Sequence, residues 1–158
     1  MNALLILTAL SLSGADSLTA TRVAGLSLKA PAGWKVSEAS DGKNWEAPGN
    51  EGQLELTVFP VDPKRPAQQC LDQLLEKLGK DGWDALQIGA QPAVRKVTTD
   101  YVGAADAGKT DANKISTVTY VGCNGATKWV MTMSSNSAKS ARFGAVLKAI
   151  VGSISYGK

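Results

Sequence analysis

The sequence predicts an α+β domain: a mainly antiparallel sheet flanked by two principal helices. Three features point there. β-rich runs follow one another with tight-turn signals between them, two segments carry apolar residues at helical spacing, and the order strands, helix, strands, helix keeps the helices segregated. A parallel α/β fold would alternate strand and helix throughout.

Residues Ala3 to Leu12, "ALLILTALSL", form an uncharged apolar run. It fits the h-region of a secretory signal, usually about 7–15 residues, and is short of the roughly 20 that a membrane-spanning helix needs. Small residues follow. Ser13-Gly14-Ala15 supplies the small-x-small pattern of signal peptidase, and Leu18-Thr19-Ala20 is a poorer second choice. Residues 1–20 are therefore expected to be a signal peptide cleaved after Ala15 or Ala20, with 21–158 a single globular domain in the periplasm or secreted. The n-region carries no Lys or Arg, which departs from the usual pattern. No other segment is apolar enough to span a bilayer.

"LSLKA", Leu26 to Ala30, alternates apolar and polar residues and reads as a half-buried strand. Pro31 then fits a tight turn and Gly33 its end. Trp34 and Val36 resume the alternation. A large aromatic beside such a corner usually fills a core, and a lip for a ligand is the competing role. Trp45, between the polar "SDGKN" and "EAPGNEG", marks a short strand bracketed by loops. Trp34 and Trp45 are the candidate contacts for a partner or ligand.

In "QLELTVFPV", Leu54, Leu56 and Val58 share one strand face. Pro66 suits the first turn of a helix, where its missing N–H would have no partner. Cys70, Leu71, Leu74, Leu75 and Leu78 then recur at helical spacing, and Gly79 is a natural stop. "DALQIG" and "PAVRKVTTDYVG" read as strands, and "AADAGKTDAN" as a loop. Asn124-Gly125 separates "KISTVTYVGC" from "ATKWVMTMSS", the strongest short hairpin signal available. Trp129, Met131 and Met133 share a face. Phe143, Val146, Leu147, Ile150, Val151 and Ile154 form the stripe of the closing helix.

Cys70 and Cys123 are the only cysteines. In an exported protein one pair is most simply a disulfide, against two unpaired thiols. The chain has no histidine, so Cys/His zinc sites and Ser-His-Asp or Cys-His machinery are excluded. Ser40-Asp41-Gly42-Lys43 matches S-x-x-K only formally, without its partner motifs. Asp41, Asn44 and Glu46, and likewise Asp106, Asp111 and Asn113, lack calcium-loop spacing. Glu51 and Glu55 fit the exposed side of a strand better than a glycosidase pair. No phosphate-binding glycine motif occurs, and no cofactor is expected. The net charge of +3 comes from scattered residues with no basic run among aromatics, so no nucleic-acid partner is expected.

"LSLKAPAGWKVS", "LELTVFPVDPKRPAQQCLDQLLEKL" and "SSNSAKSARFGAVLKAIVGSI" together resemble the PsbP-like superfamily over most of the chain after residue 20. The likeness lies in element order and the Pro-x-Gly-Trp turn. It implies an α/β/α sandwich and a non-enzymatic binding or accessory role through protein–protein contacts, and carries over no catalytic residue. A small-ligand carrier with a pocket near Trp34 and Trp45 is the alternative, and a hydrolase with a site built on Ser, Asp or Lys the more distant one.

Overall fold

The computed structural model describes residues 16–104 and 106–157. The apolar run 3–12 and the Ser13–Ala15 cleavage pattern lie outside the described residues. Ten strands and two α-helices follow in the order β1 (Leu18–Val23), β2 (Leu26–Pro31), β3 (Lys35–Ala39), β4 (Gly42–Glu46), β5 (Gly52–Pro60), α1 (Ala67–Leu78), β6 (Asp84–Ile88), β7 (Gln91–Tyr101), β8 (Lys114–Cys123), β9 (Thr127–Asn136), α2 (Ser140–Gly152) and β10 (Ser155–Tyr156).

Seven strands make one antiparallel sheet, ordered β3-β4-β5-β9-β8-β7-β6. Two meanders, β3-β4-β5 and β6-β7-β8-β9, are joined by α1 and close on each other where β5 pairs with β9. Helix α2 lies on one face. Its Phe143, Val146, Leu147 and Ile150 are fully buried against Leu54, Leu56, Trp129, Met131 and Met133. Helix α1 lies on the opposite face, its Cys70, Leu71 and Leu74 packed on Val94 and Val121. Strand alternation sets this division: Trp129 and Met131 point one way, and Val130 between them the other.

Two elements go beyond the sequence expectation. β1 and β10 flank β2 in a separate three-stranded antiparallel sheet on the α2 side. The folded unit therefore starts ahead of residue 21: Leu18, Thr19 and Ala20 pair with Pro31, Ala30 and Lys29. Ile154 is buried as its periodicity predicts, yet α2 ends at Gly152, before it. β10 then holds Tyr156, whose hydroxyl accepts a 2.8 Å hydrogen bond from Trp129 Nε1.

Close packing requires glycine at position 122. Gly122 pairs with Trp129 across β8–β9, and a Cβ there would stand 2.4 Å from the indole. Trp129 can lie flat against the sheet because its neighbour has no side chain. At the hairpin predicted around Asn124-Gly125, the Asn124 carboxamide accepts from the Thr127 N–H at 2.7 Å. Gly125, with φ of +89°, lies against Arg65 just ahead of α1, where a Cβ would meet the Arg65 carbonyl oxygen at 2.3 Å.

Candidate binding surface

The Pro31–Trp34 corner is built into the core. Trp34 is 4% exposed and meets Phe143 edge-on, with ring centroids 5.6 Å apart at 80°. Its indole N–H donates to Asp16 Oδ1 at 3.1 Å. Trp45, 3% exposed, sits on the same face of the sheet as Val36, Leu54 and Met133. The structure thus places both rings inside the fold rather than at a lip. Trp45 borders a hollow of 450 Å³, whose other walls include Lys35, Ser37, Asn44, Glu46 and Gln53. Most of its lining residues are polar. It opens on a stretch of sheet whose hydroxyls pair with one another, Thr117 with Ser134 at 3.0 Å and Thr119 with Thr132 at 3.5 Å.

Cys70 and Cys123 form a disulfide with a Cα–Cα distance of 6.2 Å, inside the range the bond requires. The bond ties the first turn of α1 to the end of β8.

Asp16 organises a network that sequence reasoning did not identify. The residue is 2% exposed, and its carboxylate accepts from Arg142 Nε at 2.8 Å and from an Arg142 terminal nitrogen at 3.0 Å, besides Trp34. The other terminal nitrogen of Arg142 reaches Glu51 at 3.0 Å, and Lys139 pairs with the same carboxylate. The hydrogen bond from Lys139, with that of Arg142 and the attraction of both charges, holds Glu51 below the ordinary carboxylate range. The Arg142 guanidinium also lies 4.8 Å from the Phe143 ring centre, so it bridges core and surface. This cluster joins β1's approach, the Trp34 corner and the start of α2; its groups are mutually satisfied.

The face under α1 is different. The helix stripe runs Cys70, Leu71, Leu74, Leu78, and its last member is 45% exposed. Beside it on the sheet stand Phe59 of β5 and Val130 of β9, both half-buried. Leu74, Leu78, Phe59, Val130 and Thr57 line a groove of 410 Å³ between helix and sheet. Lys77 and Lys128 complete its walls, and the Lys128 ammonium lies 5.6 Å from the Phe59 ring centre. Lys77, Lys128 and Leu74 also border an adjoining hollow of 170 Å³ that includes Arg65 and Asp62. The combined channel has an apolar floor and a rim of three cations against one carboxylate. A signal existed in the sequence. Phe59 is out of phase with Leu54, Leu56 and Val58, and Val130 is out of phase with Trp129, Met131 and Met133.

Among the described residues, no three His, Cys, Asp or Glu side chains stand together as a metal-holding group. No helix among them is long and apolar enough to cross a membrane.

No family model matches the sequence, and no curated protein matches it. Solved structures do match. The solution structure of cyanobacterial PsbP (CyanoP) from Synechocystis sp. PCC 6803 superposes with a TM-score of 0.61 at 11% identity, covering 89% of this chain and 93% of that one. The fold is PsbP-like. A crystal structure from Bacteroides thetaiotaomicron VPI-5482 at 1.50 Å resolution gives a TM-score of 0.62 at 12% identity and covers 85% of this chain and 46% of that one. This chain thus spans about half the length of the Bacteroides protein. At these identities the likeness is one of fold, and the PsbP-like sandwich is what the chains share.

Proposed function

We propose that this chain is an exported, non-catalytic binding protein that holds a protein partner in the groove between α1 and the β5–β9 strands. The carrying observation is the groove's chemistry. Phe59, Val130, Leu74 and the exposed Leu78 offer apolar contact, while Lys77, Lys128 and Arg65 offer positive charge around it. That combination fits a segment bearing apolar side chains flanked by carboxylates. Apolar burial supplies affinity, and the cations set orientation and exclude basic segments. The apolar run 3–12 and the disulfide support an oxidising compartment outside the cytoplasm.

The test is affinity capture from the native envelope with three forms of the protein: unaltered, Leu78→Asp with Lys128→Glu, and Val97→Asp. Val97 is 47% exposed on the opposite side of the sheet. A partner held by the unaltered protein and Val97→Asp, and lost by the groove variant, supports the reading. Equal capture by all three contradicts it. The groove's volume also suits an acyl chain with an acidic head, a carrier site different from the one near Trp34 and Trp45 that the sequence suggested. Saturable displacement of a fluorescent fatty acid from the groove, with no partner captured, decides for the carrier.

A further inference from the structure

We propose that the mature chain begins at Asp16, and that its first residues are a structural clamp on the Pro31–Trp34 corner, so that processing after Ala15 preserves the fold and processing after Ala20 dismantles part of it. This rests on the export reading above and selects between the two cleavage patterns in the sequence.

The geometry carries the choice. Asp16 is the most deeply buried acidic residue among those described, with both carboxylate oxygens engaged by Arg142 and one also by the Trp34 indole. One residue on, the Ser17 carbonyl accepts a 2.8 Å hydrogen bond from the Ala32 N–H, immediately after Pro31. Leu18, Thr19 and Ala20 then supply three of the six β1–β2 pairs. Residues 16–20 thus contact the corner at Ala32 and Trp34 and reach α2 through Arg142. Cleavage after Ala20 would delete every one of these contacts. It would also leave the Arg142 guanidinium without its buried partner and the Trp34 indole N–H without an acceptor, in a place that water reaches poorly.

Ser13-Gly14-Ala15 meets the peptidase's need for small residues, whereas Leu18-Thr19-Ala20 has a large leucine three places before the bond. Peptidase chemistry and folding therefore favour the same bond, with Asp16 as the first residue retained.

The experiment expresses the full chain in a bacterium, releases the periplasmic contents by osmotic shock, and measures intact mass with sequencing of the N-terminal peptide. A chain beginning at Asp16 is expected. A chain beginning at Thr21 overturns the inference and leaves export standing. Protein retaining Met1 in the cytoplasmic fraction overturns the export reading instead. Two variants of the full chain sharpen this. Ala15→Trp should accumulate as precursor, because the second pattern does not substitute; efficient release of a chain beginning at Thr21 refutes the assignment. Arg142→Gln should leave the processing site unchanged but lower the unfolding midpoint of the released protein and increase protease cutting between residues 16 and 34. An unchanged midpoint and cutting pattern would refute the clamp.

Discussion

Helices α1 and α2 are nearly equal in length, 12 and 13 residues, yet they cover their faces of the central sheet in different ways. Around α2 the apolar stripe is closed completely. Phe143, Val146, Leu147 and Ile150 each have no exposed surface, and the small sheet carrying β1, β2 and β10 packs on the same side. Around α1 the stripe is closed at its start and open at its end. Cys70 is 3% exposed and Leu78 45%. A second layer of strands stands behind α2, whereas α1 meets the sheet alone, fastened by one disulfide. The lesson is that a sandwich of this kind can seal one face for stability and leave the other to offer an apolar surface with a basic rim.

The largest effect belongs to the sealed side. Trp34→Ala should cost about 3–5 kcal/mol, the usual loss for truncating a buried Trp. Urea unfolding followed by circular dichroism checks it, and a change below about 1 kcal/mol would contradict the placement of Trp34 in the core.

Next comes the disulfide, whose loop spans 53 residues in sequence. Chain entropy assigns it about 4 kcal/mol at most. Reduction should loosen one face and spare the other. Hydrogen exchange should accelerate in α1 and around Arg65, while α2 amides keep their protection. Equal acceleration in both helices would contradict independent closure of the two faces.

Arg142→Ala should cost about 2 kcal/mol, below the range for a fully buried pair because its guanidinium is partly open to solvent. Thermal unfolding of this variant measures the Asp16 network directly.

The Glu51 effect is smaller. Its folded-state pKa is depressed, first by the Lys139 hydrogen bond and then by Arg142. Its contribution is therefore present above the ordinary carboxylate value and lost as pH falls through the depressed one. Glu51→Gln should flatten the acid-side decline of the melting temperature by slightly lowering the neutral plateau, with the acid end nearly unchanged. Leu78→Ala should do least, within about 0.5 kcal/mol, since the side chain is already half in water.

How much of this was legible in the sequence follows from how local each signal is. The β8–β9 hairpin announced itself in Asn124-Gly125, and α2 in its stripe, because turn chemistry and helical period act within a few residues. β1 was hidden, since Leu18-Thr19-Ala20 also fits the tail of a signal sequence, and its partner β2 is defined only by pairing. The two residues of β10 carry no periodicity to read. For the groove, Phe59 and Val130 each break the phase of their strand, but only the β5–β9 pairing brings them together beneath α1. The Asp16–Arg142 contact joins residues 126 positions apart and left no trace in composition or spacing.

The claim that α1's open end is the working surface is tested most directly by site-specific photo-cross-linking in living cells. A photoreactive phenylalanine analogue is placed at position 78 in one strain and at position 97, on the other face, in a second. Our account predicts a discrete, reproducible protein adduct on irradiation of the position 78 strain, weakened by Lys128→Glu, and none at position 97. An adduct at position 97 with none at position 78 would contradict it.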